Sequence, residues 1–441
     1  MKVRRVARRL SLRYRFQRLT SHEQVELRKI RKYAVFVVML KHISTPDTLD
    51  EEEMDAIDTC LKSLVLEYFS ILLLDPVQDI RLLTSRRDRD INSFCVSDCP
   101  LIFRFQREHL RLLLDLLKFP SIITLDNRSK MSGEEVLLRG LFELVSGENK
   151  HAIAVSTFGR DWSQQSRAFK WFILHIYQNF KHLLEDNLLW WYRNGFFELS
   201  RRAIFSKMRR VEPTLEHNDP FNISHFIDCN CLSCSTPGGG PNGEGVDAPR
   251  HDDLIQRCAY NGWKSIHGLK HQTVDNALGM TVDMYGPTML RRNDLALLRD
   301  SHINNRFRRL QVDSPTQYVI FGDSAYVRQS HILSYFPSAT MPAASKCNYA
   351  IKTTRMSIEW NYGCTANLFK YFLMFNKLRL MESSTASRVY TVGTLLRNFL
   401  IALYGGQTSN YFNLGVKDPE LFLRSYINSD DLDVFANFTF I

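Results

Sequence analysis

Apolar side chains recur at helical spacing through the first 120 residues. The segments VELRKIRKYAVFVVMLKHI and EEEMDAIDTCLKSLVLEYFSILLL both carry them at i, i+3 and i+4. An acidic stretch from Asp47 to Asp55 precedes the second segment, and negative charge is favourable at a helix N-terminus. A third segment, HLRLLLDLLKFP, ends at Pro120, which stops a helix. The pattern predicts a helical region over 34–120 that follows an N-terminal arm at 1–33.

A compact helical module is predicted over 121–200. Ser132 and Glu135 form a capping-box pattern before the apolar run VLLRGLFELV. A short helix, a glycine turn and the longer helix DWSQQSRAFKWFILHIYQNFKHLL follow, which is the outline of a helix-turn-helix. The exposed first turn of the last helix would then contact base edges. The side chains that would face DNA are Gln164, Gln165 and Arg167. The alternative is a three-helix packing unit that binds no nucleic acid.

Near residue 220 the pattern changes from helical to extended. PFNISHFIDCN and TQYVIFGDSAY read as strands that end at Asp228 and Asp323, and WKSIHGLKHQTVDN and LGMTVDMYG read as two more strands. The amphipathic helix RNDLALLRDSHI precedes the last strand, and the helix TTRMSIEWNYGCTANLFKYFLMF (353–375), which carries Glu359, follows it. This order predicts an α/β domain over 210–405, with one mixed sheet flanked by helices, and a C-terminal tail at 406–441. It is also the element order of the ribonuclease-H-like fold.

Positive charge is concentrated at the N-terminus. The chain has 57 Lys and Arg against 47 Asp and Glu, a net charge of +10. Residues 1–33 hold 12 basic and two acidic side chains, so the other residues are balanced at 45 of each sign. A surface that binds polyanions is therefore expected to consist of this basic arm and local patches. One such patch precedes the first strand and could hold phosphates or form the solvated face of a helix: Arg201, Arg202, Lys207, Arg209 and Arg210.

The sequence also bears on compartment. The longest apolar runs, at 33–40 and 68–75, are far shorter than the roughly 20 residues of a membrane-spanning helix, so no membrane span is expected. The nine cysteines are an odd number, and no apolar signal segment precedes them. These features favour a reducing compartment, the nucleus or the cytosol. The arginine-rich, acid-poor start also fits a mitochondrial presequence.

Three carboxylates stand where a catalytic metal site would need them. Asp228 and Asp323 each follow an apolar strand, and Glu359 lies on a helix that could pack against the same sheet. Carboxylate oxygens suit Mg²⁺, and a pair of such ions can stabilise both the attacking and the leaving oxygen of phosphodiester cleavage. The structural alternative is that the aspartates are turn residues and the glutamate is a solvated helix residue.

The sequence around these acids resembles the DDE nuclease of PIF/Harbinger-type transposases and their domesticated relatives. The segments FIDCN, YNGWKSIHGLKHQTVDNALGMTVDMYGP, RRNDLALLRDSHINNRF, FGDSAY and SIEWNYGCTANLFKYF occur in the family's order, and LLRNFLIALYG matches its late helix. The resemblance covers about 210–405 well and extends to the helix-turn-helix. It implies a ribonuclease-H-like nuclease that uses Mg²⁺ or Mn²⁺ to cleave transposon-end DNA.

The resemblance also implies roles for particular residues. Asp228, Asp323 and Glu359 match the family's catalytic metal ligands, and Asp294 matches a further acidic position, a possible fourth ligand. Lys264 and His267 match polar positions of the second strand, where they could touch DNA phosphate or serve the sheet. Two segments depart from the family pattern, Cys229-Asn230-Cys231 after the first acid and WNYGCTANLF after the third, and neither removes a ligand.

A cysteine cluster gives one more candidate site. Cys229, Cys231 and Cys234 could bind structural zinc with His225 or Cys258 as the fourth ligand. Free thiols are the simpler interpretation.

Three functional hypotheses follow. The first is a metal-dependent DNA endonuclease and transposase in the nucleus. The second is a domesticated DNA-binding or adaptor protein that kept the fold and does not cleave. The third is a helical protein-interaction module attached to a degenerate nuclease. The resemblance further implies a separate Myb-like DNA-binding partner, and a homo-oligomer is a further expectation.

Overall fold

The computed structural model describes residues 89–146, 157–158, 162–215, 221–235, 256–336, 342–374, 378 and 383–440. The chain forms two compact units, one of residues 1–88 and 149–165 and the other of residues 89–148 and 166–441. The predicted basic arm, most of the helical region at 34–120 and most of the middle helix of the predicted helix-turn-helix lie outside the described residues. The predicted domain boundaries stay predictions.

Helices precede the sheet, as the apolar spacing predicts, and one hairpin lies among them. A 3₁₀ turn at Ile91–Ser93 comes first. The elements after it are α1 (Cys99–Phe103), α2 (Arg107–Leu116), the hairpin β1 (Ile122–Thr124) and β2 (Lys130–Ser132), α3 (Gly133–Ser146), α4 (Trp162–Phe180), α5 (His182–Glu185), α6 (Leu188–Arg193) and α7 (Phe196–Val211). The Ser132 hydroxyl accepts a hydrogen bond from the Glu135 amide at 3.1 Å, which is half of the predicted capping box. The hairpin inside this module was not predicted.

Six further strands are β3 (Ile223–Ser233), β4 (Tyr260–Asn261), β5 (Ile266–Asp275), β6 (Thr281–Met289), β7 (Val319–Phe321) and β8 (Ile332–Leu333). They form one mixed sheet with the order β4–β5–β3–β7–β8, in which β6 also pairs with β5. Strand β5 pairs antiparallel with both β3 and β6, whereas β7 pairs parallel with both β3 and β8. This arrangement confirms the predicted mixed α/β sheet and is consistent with a ribonuclease-H-like fold.

Helices cover both faces of the sheet. They are α8 (Asp294–Ser301), α9 (Ile303–Leu310), α10 (Pro342–Leu368) and α11 (Ser383–Tyr404), and a 3₁₀ turn at Lys370–Leu373 follows α10. On one face, the buried ring of His225 contacts Phe197 of α7 and Phe307 of α9. On the other face, Thr273 of β5 shares a hydrogen bond with Tyr362 of α10 at 2.8 Å. Side chains alternate along a strand, so successive residues of β3 face these two layers in turn.

Residues 406–440, predicted as a tail, are folded into the same unit. They form α12 (Gln407–Tyr411), β9 (Leu414–Val416), α13 (Pro419–Asn428), α14 (Val434–Asn437) and β10 (Phe438–Phe440). Tyr426 and Phe422 of α13 are fully buried against Trp190, Trp191 and Phe196. The polar composition of 405–415 concealed this aromatic core, because the sequence does not show which distant rings meet.

Two element boundaries differ from the prediction. Strand β3 continues past Asp228 to Ser233, because β5 goes on pairing with it as far as the Ser233–Gly268 pair. The helix carrying Glu359 begins at Pro342 and ends at Leu368, earlier than predicted at both ends. Asp228 therefore lies within a strand and Glu359 lies in the second half of a long helix.

Candidate active site

The parallel pairing of β3 with β7 brings Asp228 and Asp323 side by side. The last pair of these strands joins Phe226 to Phe321, and each aspartate stands two residues beyond its partner of that pair. Neighbouring strands lie about 4.8 Å apart, and residues two apart point to the same face. Beyond Phe321 the chain leaves the sheet. From Asp228 onwards, β3 therefore has no neighbouring strand on its β7 side.

A tight turn fixes Asp323. Its Oδ1 accepts a hydrogen bond from the Ala325 amide at 2.9 Å, and its carbonyl accepts one from the Tyr326 amide at 3.1 Å. The Tyr326 ring folds back over Gly322, where an added Cβ would lie 2.6 Å from the ring. The segment FGDSAY is thus explained locally, since only glycine leaves room for the tyrosine that closes the turn.

Arg355 joins the other two acids. It lies on α10, one turn before Glu359, and its Nη1 donates to Asp228 Oδ2 at 3.1 Å while its Nη2 donates to Glu359 Oε1 at 2.8 Å. Its Nε donates to the Tyr335 hydroxyl at 3.3 Å. Residues four apart share a helix face, so Arg355 and Glu359 are both directed towards the edge of the sheet that carries Asp228. Glu359 is not on the face away from the sheet.

The environment of Asp228 disfavours its charged form. Burial raises the pKa of this carboxyl to about 6, its bond from the Cys229 amide and the Arg355 charge act against that rise, and the negative charge of Asp323 adds to it. Desolvation and a neighbouring like charge are the two usual causes of a raised carboxyl pKa. A half-buried carboxylate with an acidic neighbour attracts a cation.

The donor set suits a hard divalent cation. Asp228, Asp323 and Glu359 offer only oxygen, which Mg²⁺ and Mn²⁺ prefer. Within the described part of the chain, however, no three Asp, Glu, His or Cys side chains are grouped closely enough to hold a metal. Arg355 occupies the position between Asp228 and Glu359, so a cation would have to displace its guanidinium from Asp228.

Asp294 lies on the other face of the sheet. It is the first residue of α8, and its Oδ1 accepts from Lys270 Nζ at 2.9 Å. Lys270 pairs with Cys231 across β3 and β5, whereas Asp228 pairs with Thr273. Cys231 is three residues beyond Asp228, an odd number, so the side chains of the two pairs point to opposite faces of the sheet. Asp294 is thus an ion-pair partner of a buried lysine, apart from the Asp228 carboxylate, and its predicted role as metal ligand stays a prediction.

The residues predicted to contact DNA have mixed surroundings. Gln165 is only 1% exposed, which corrects the expectation that the whole first turn of α4 faces solvent. Arg167 pairs with Asp126, and Lys264 Nζ lies 3.5 Å from Cys231 Sγ. Gln164 is half-buried. The DNA contacts of all four stay predictions, and DNA would have to compete with Asp126 for Arg167.

The cysteines and the second basic cluster have structural partners. Cys229, Cys231 and Cys234 are free thiols, and the residues that the structure describes form no zinc site around them. Cys229 and Cys231 share one face of β3, Cys234 lies just past the end of the strand, and His225 is buried between aromatic rings. In the basic cluster, Arg201 and Arg202 pair with Glu198, and Lys207 Nζ lies 3.8 Å from the centre of the Tyr411 ring. Most of that cluster therefore serves the fold.

Comparison with known proteins gives a match over part of the chain. Residues 245–398 match the family model of the DDE superfamily endonuclease. The match spans just over a third of the chain and contains Asp294, Asp323 and Glu359, but starts after Asp228. No curated protein and no solved structure matches the chain. The match supports a transposase-like nuclease that acts on phosphodiester bonds, with DNA as the expected substrate and divalent metal as the usual cofactor of such enzymes.

Sequence reasoning missed Arg355, although a signal for it was present. Arginine and glutamate four residues apart on a predicted helix form an ion pair readily. Asp228 as a second partner could not be foreseen, because that contact joins residues 127 positions apart in the chain.

Proposed function

We propose that the protein is a metal-dependent DNA endonuclease of the PIF/Harbinger transposase type that cleaves transposon-end DNA. The observation that carries the proposal is the Arg355 guanidinium, which bonds both Asp228 and Glu359 beside the β3–β7 register that sets Asp323 next to Asp228. The match to the DDE endonuclease family supports the reaction class, and the order of motifs along the chain supports the subtype.

The acids would act as the cation-binding set. Asp228 of β3, Asp323 in the turn after β7 and Glu359 of α10 would hold Mg²⁺ or Mn²⁺. The bound metal supplies charge stabilisation and activation of the attacking oxygen in phosphodiester cleavage. Arg355 would leave Asp228 when the cation enters, and its freed guanidinium would stay beside the site through Glu359, where it can meet a phosphate.

A second function has its own observation. The Arg355 bridge satisfies both acids without a metal, which also fits a domesticated DNA-binding or adaptor protein that kept the fold. Nuclear location, the Myb-like partner and the homo-oligomer remain predictions of the sequence under either function.

Paired measurements on Asp323→Asn separate the two functions. The substitution keeps volume but removes a charge that the cation needs, so Mg²⁺-dependent cleavage should fall by several orders of magnitude. Binding in EDTA should stay equal or rise, since one negative charge near the phosphates is gone. Asp313→Asn removes an exposed charge outside the site and is the matched control.

Gln164→Ala and Arg167→Ala should have the opposite effect, with weaker DNA binding and an intact metal site. If Asp323→Asn cleaves as well as the parent protein, these acids are not the catalytic centre. If the parent binds DNA but never cleaves it in Mg²⁺ or Mn²⁺, the adaptor function replaces the nuclease.

A further inference from the structure

Trp263 is exposed to an extent that folding does not explain. It stands in the turn between β4 and β5, and 94% of its surface is accessible. An indole is among the largest apolar side chains, and tryptophan is highly buried on average. A tryptophan kept wholly outside the core suggests a planar, apolar binding partner.

The backbone of the turn is well ordered. The Lys264 amide donates to Asn261 Oδ1 at 3.0 Å, and Asn261 and Tyr260 pair with Ile266 and His267 across the hairpin. The His267 carbonyl accepts a hydrogen bond from the Cys234 amide at 2.8 Å, which ties the hairpin to the end of β3. A turn whose backbone is already ordered loses little backbone freedom when its side chains bind.

The turn lies past the C-terminal end of β3. Gly268 of β5 pairs with Ser233, so the turn at 262–265 is more than five residues beyond Asp228 along the strand, at least about 17 Å. Lys264 Nζ approaches Cys231 Sγ at 3.5 Å, on the face of the sheet opposite Asp228. A DNA strand held at Asp228 would thus have to pass around this end of the sheet and span several nucleotides to reach Trp263.

Exposed basic side chains lie on the chain segments that adjoin the turn. Arg257, Lys264 and Arg291 are exposed, and the Arg291 amide donates to the Cys258 carbonyl at 3.2 Å, which brings the segment of Arg291 next to that of Arg257. Arg291 also lines an open groove of about 600 Å³ together with Asn261 and Asp294. Cations near an exposed aromatic ring are the pattern of single-stranded nucleic-acid sites, where the cations contact phosphates and the ring stacks on a base.

We propose that Trp263 is a stacking platform for an unpaired base of the bound DNA, several nucleotides from the Asp228 site, with Lys264 and Arg291 on the flanking phosphates. The proposal deepens the nuclease function and rests on it for the identity of the strand. It assigns a base-binding role to a residue outside the acidic set. The nucleotide bound by Trp263 must be unstacked, because a base inside a duplex offers no free face to the indole.

The test measures binding of the full chain to a fluorescent oligonucleotide in EDTA. Trp263→Ala should weaken binding to a single strand or an overhang by about 5- to 150-fold, the range of a lost base–aromatic stack. Trp263→Phe should keep most of the affinity. Val312→Ala, which removes another exposed apolar side chain (73%), should change nothing. Circular dichroism and unfolding midpoints would verify that the variants are folded.

Two further readouts identify the contact as stacking. Scanning an abasic site along the strand should weaken the parent at one or two positions, and Trp263→Ala should be insensitive there. The salt dependence should stay the same in Trp263→Ala and fall in Lys264→Ala, because only the lysine would contact phosphate.

Unchanged affinity in Trp263→Ala would overturn the proposal. So would a change in the sedimentation of the DNA-free protein without a change in DNA affinity, which would assign the ring to a contact between copies of the chain. Cleavage in Mg²⁺ is measured on the same variants. A parent that stacks but does not cleave would refute the nuclease function alone, and a parent that cleaves without an effect of Trp263 would refute the stacking alone.

Discussion

At the scale of single residues, two acids of the candidate site share one positively charged side chain, that of Arg355. The Arg355 guanidinium holds Asp228 and Glu359 together, and without it the half-buried Asp228 would have only the Cys229 amide as a hydrogen-bond partner. Burial of a carboxyl costs free energy unless it is paired, so the site stores an electrostatic cost that a second cation could relieve.

Asp228→Asn should therefore change how stability depends on pH. The folded pKa of Asp228, about 6, lies above its ordinary value of 3.8. Between these values the folded state holds a proton that the unfolded state has lost, so this residue lowers stability as pH rises from about 4 to 6. The asparagine variant lacks that penalty and should gain on the order of 2 kcal/mol relative to the parent between pH 4 and 7. Urea unfolding of the parent and of Asp228→Asn across this range would measure the difference, with Asp313→Asn as the matched exposed control. Parallel curves of unfolding free energy against pH for Asp228→Asn and the parent would contradict the prediction.

A second residue-scale prediction concerns the late helix motif LLRNF. Arg397 is buried, and it donates to the Asn361 carbonyl at 3.0 Å and to Thr281 Oγ1 at 2.5 Å. Thr281 in turn donates to Asp275, whose pKa is raised by burial against the opposing charge of Arg397. Arg397→Met would leave this buried carboxylate without its counter-charge and should cost about 3 kcal/mol or more of the free energy of unfolding.

Arg424→Met is the control, because Arg424 lies 3.8 Å from the exposed Asp115 and such surface pairs contribute about 1 kcal/mol at most. Equal unfolding midpoints for the two variants would refute the structural role of Arg397.

At the scale of elements, two helical glycines serve opposite purposes. A Cβ added to Gly140 in α3 would lie 2.2 Å from the Phe172 ring of α4, whereas one added to Gly363 in α10 would meet nothing within 4 Å. Gly140→Ala should destabilise the protein by about 1–3 kcal/mol through overpacking. Gly363→Ala should stabilise it by up to about 1 kcal/mol through helix propensity. Thermal unfolding of both variants gives the answer, and a loss of stability in Gly363→Ala would show a contact that the open surface does not reveal.

The same substitution has a functional readout, because Gly363 is one helical turn beyond Glu359. If DNA passes close to this part of α10, Gly363→Ala should reduce cleavage while it raises stability.

At the scale of the whole molecule, charge and fold are separate. The +10 net charge resides in residues 1–33, and the rest of the chain is neutral. Among the described residues, no helix is both long and apolar enough to cross a membrane. The basic arm is therefore expected to add DNA affinity that is strongly salt-dependent and not sequence-specific.

Deletion of residues 1–33 should weaken DNA binding and flatten its dependence on salt, because each phosphate contact releases counterions. Binding isotherms at several salt concentrations measure this slope. A variant in which the 12 basic residues of the arm become glutamine separates charge from length. An unchanged slope would show that the arm does not touch DNA. Mitochondrial import of a fusion that carries residues 1–33 would favour a presequence over nuclear import.

The local features of this protein follow from short stretches of its sequence. Apolar spacing gave the helices before the sheet and the strands from residue 220, because these periods are properties of neighbouring residues. The acids Asp228, Asp323 and Glu359 could be selected because they follow or accompany apolar elements. The glycine of FGDSAY also has a local cause, the tyrosine four residues later.

Which of these residues meet depends on how the strands and helices are arranged in space. The register between β3 and β7 sets Asp228 beside Asp323, and the pairing with β5 carries the strand beyond the acid. The link from Arg355 to Asp228 and the placement of Asp294 with Lys270 on the opposite face depend on packing between distant segments. The exposure of Trp263 belongs to the same class, because apolar character alone predicts burial and only the folded hairpin keeps this ring in solvent.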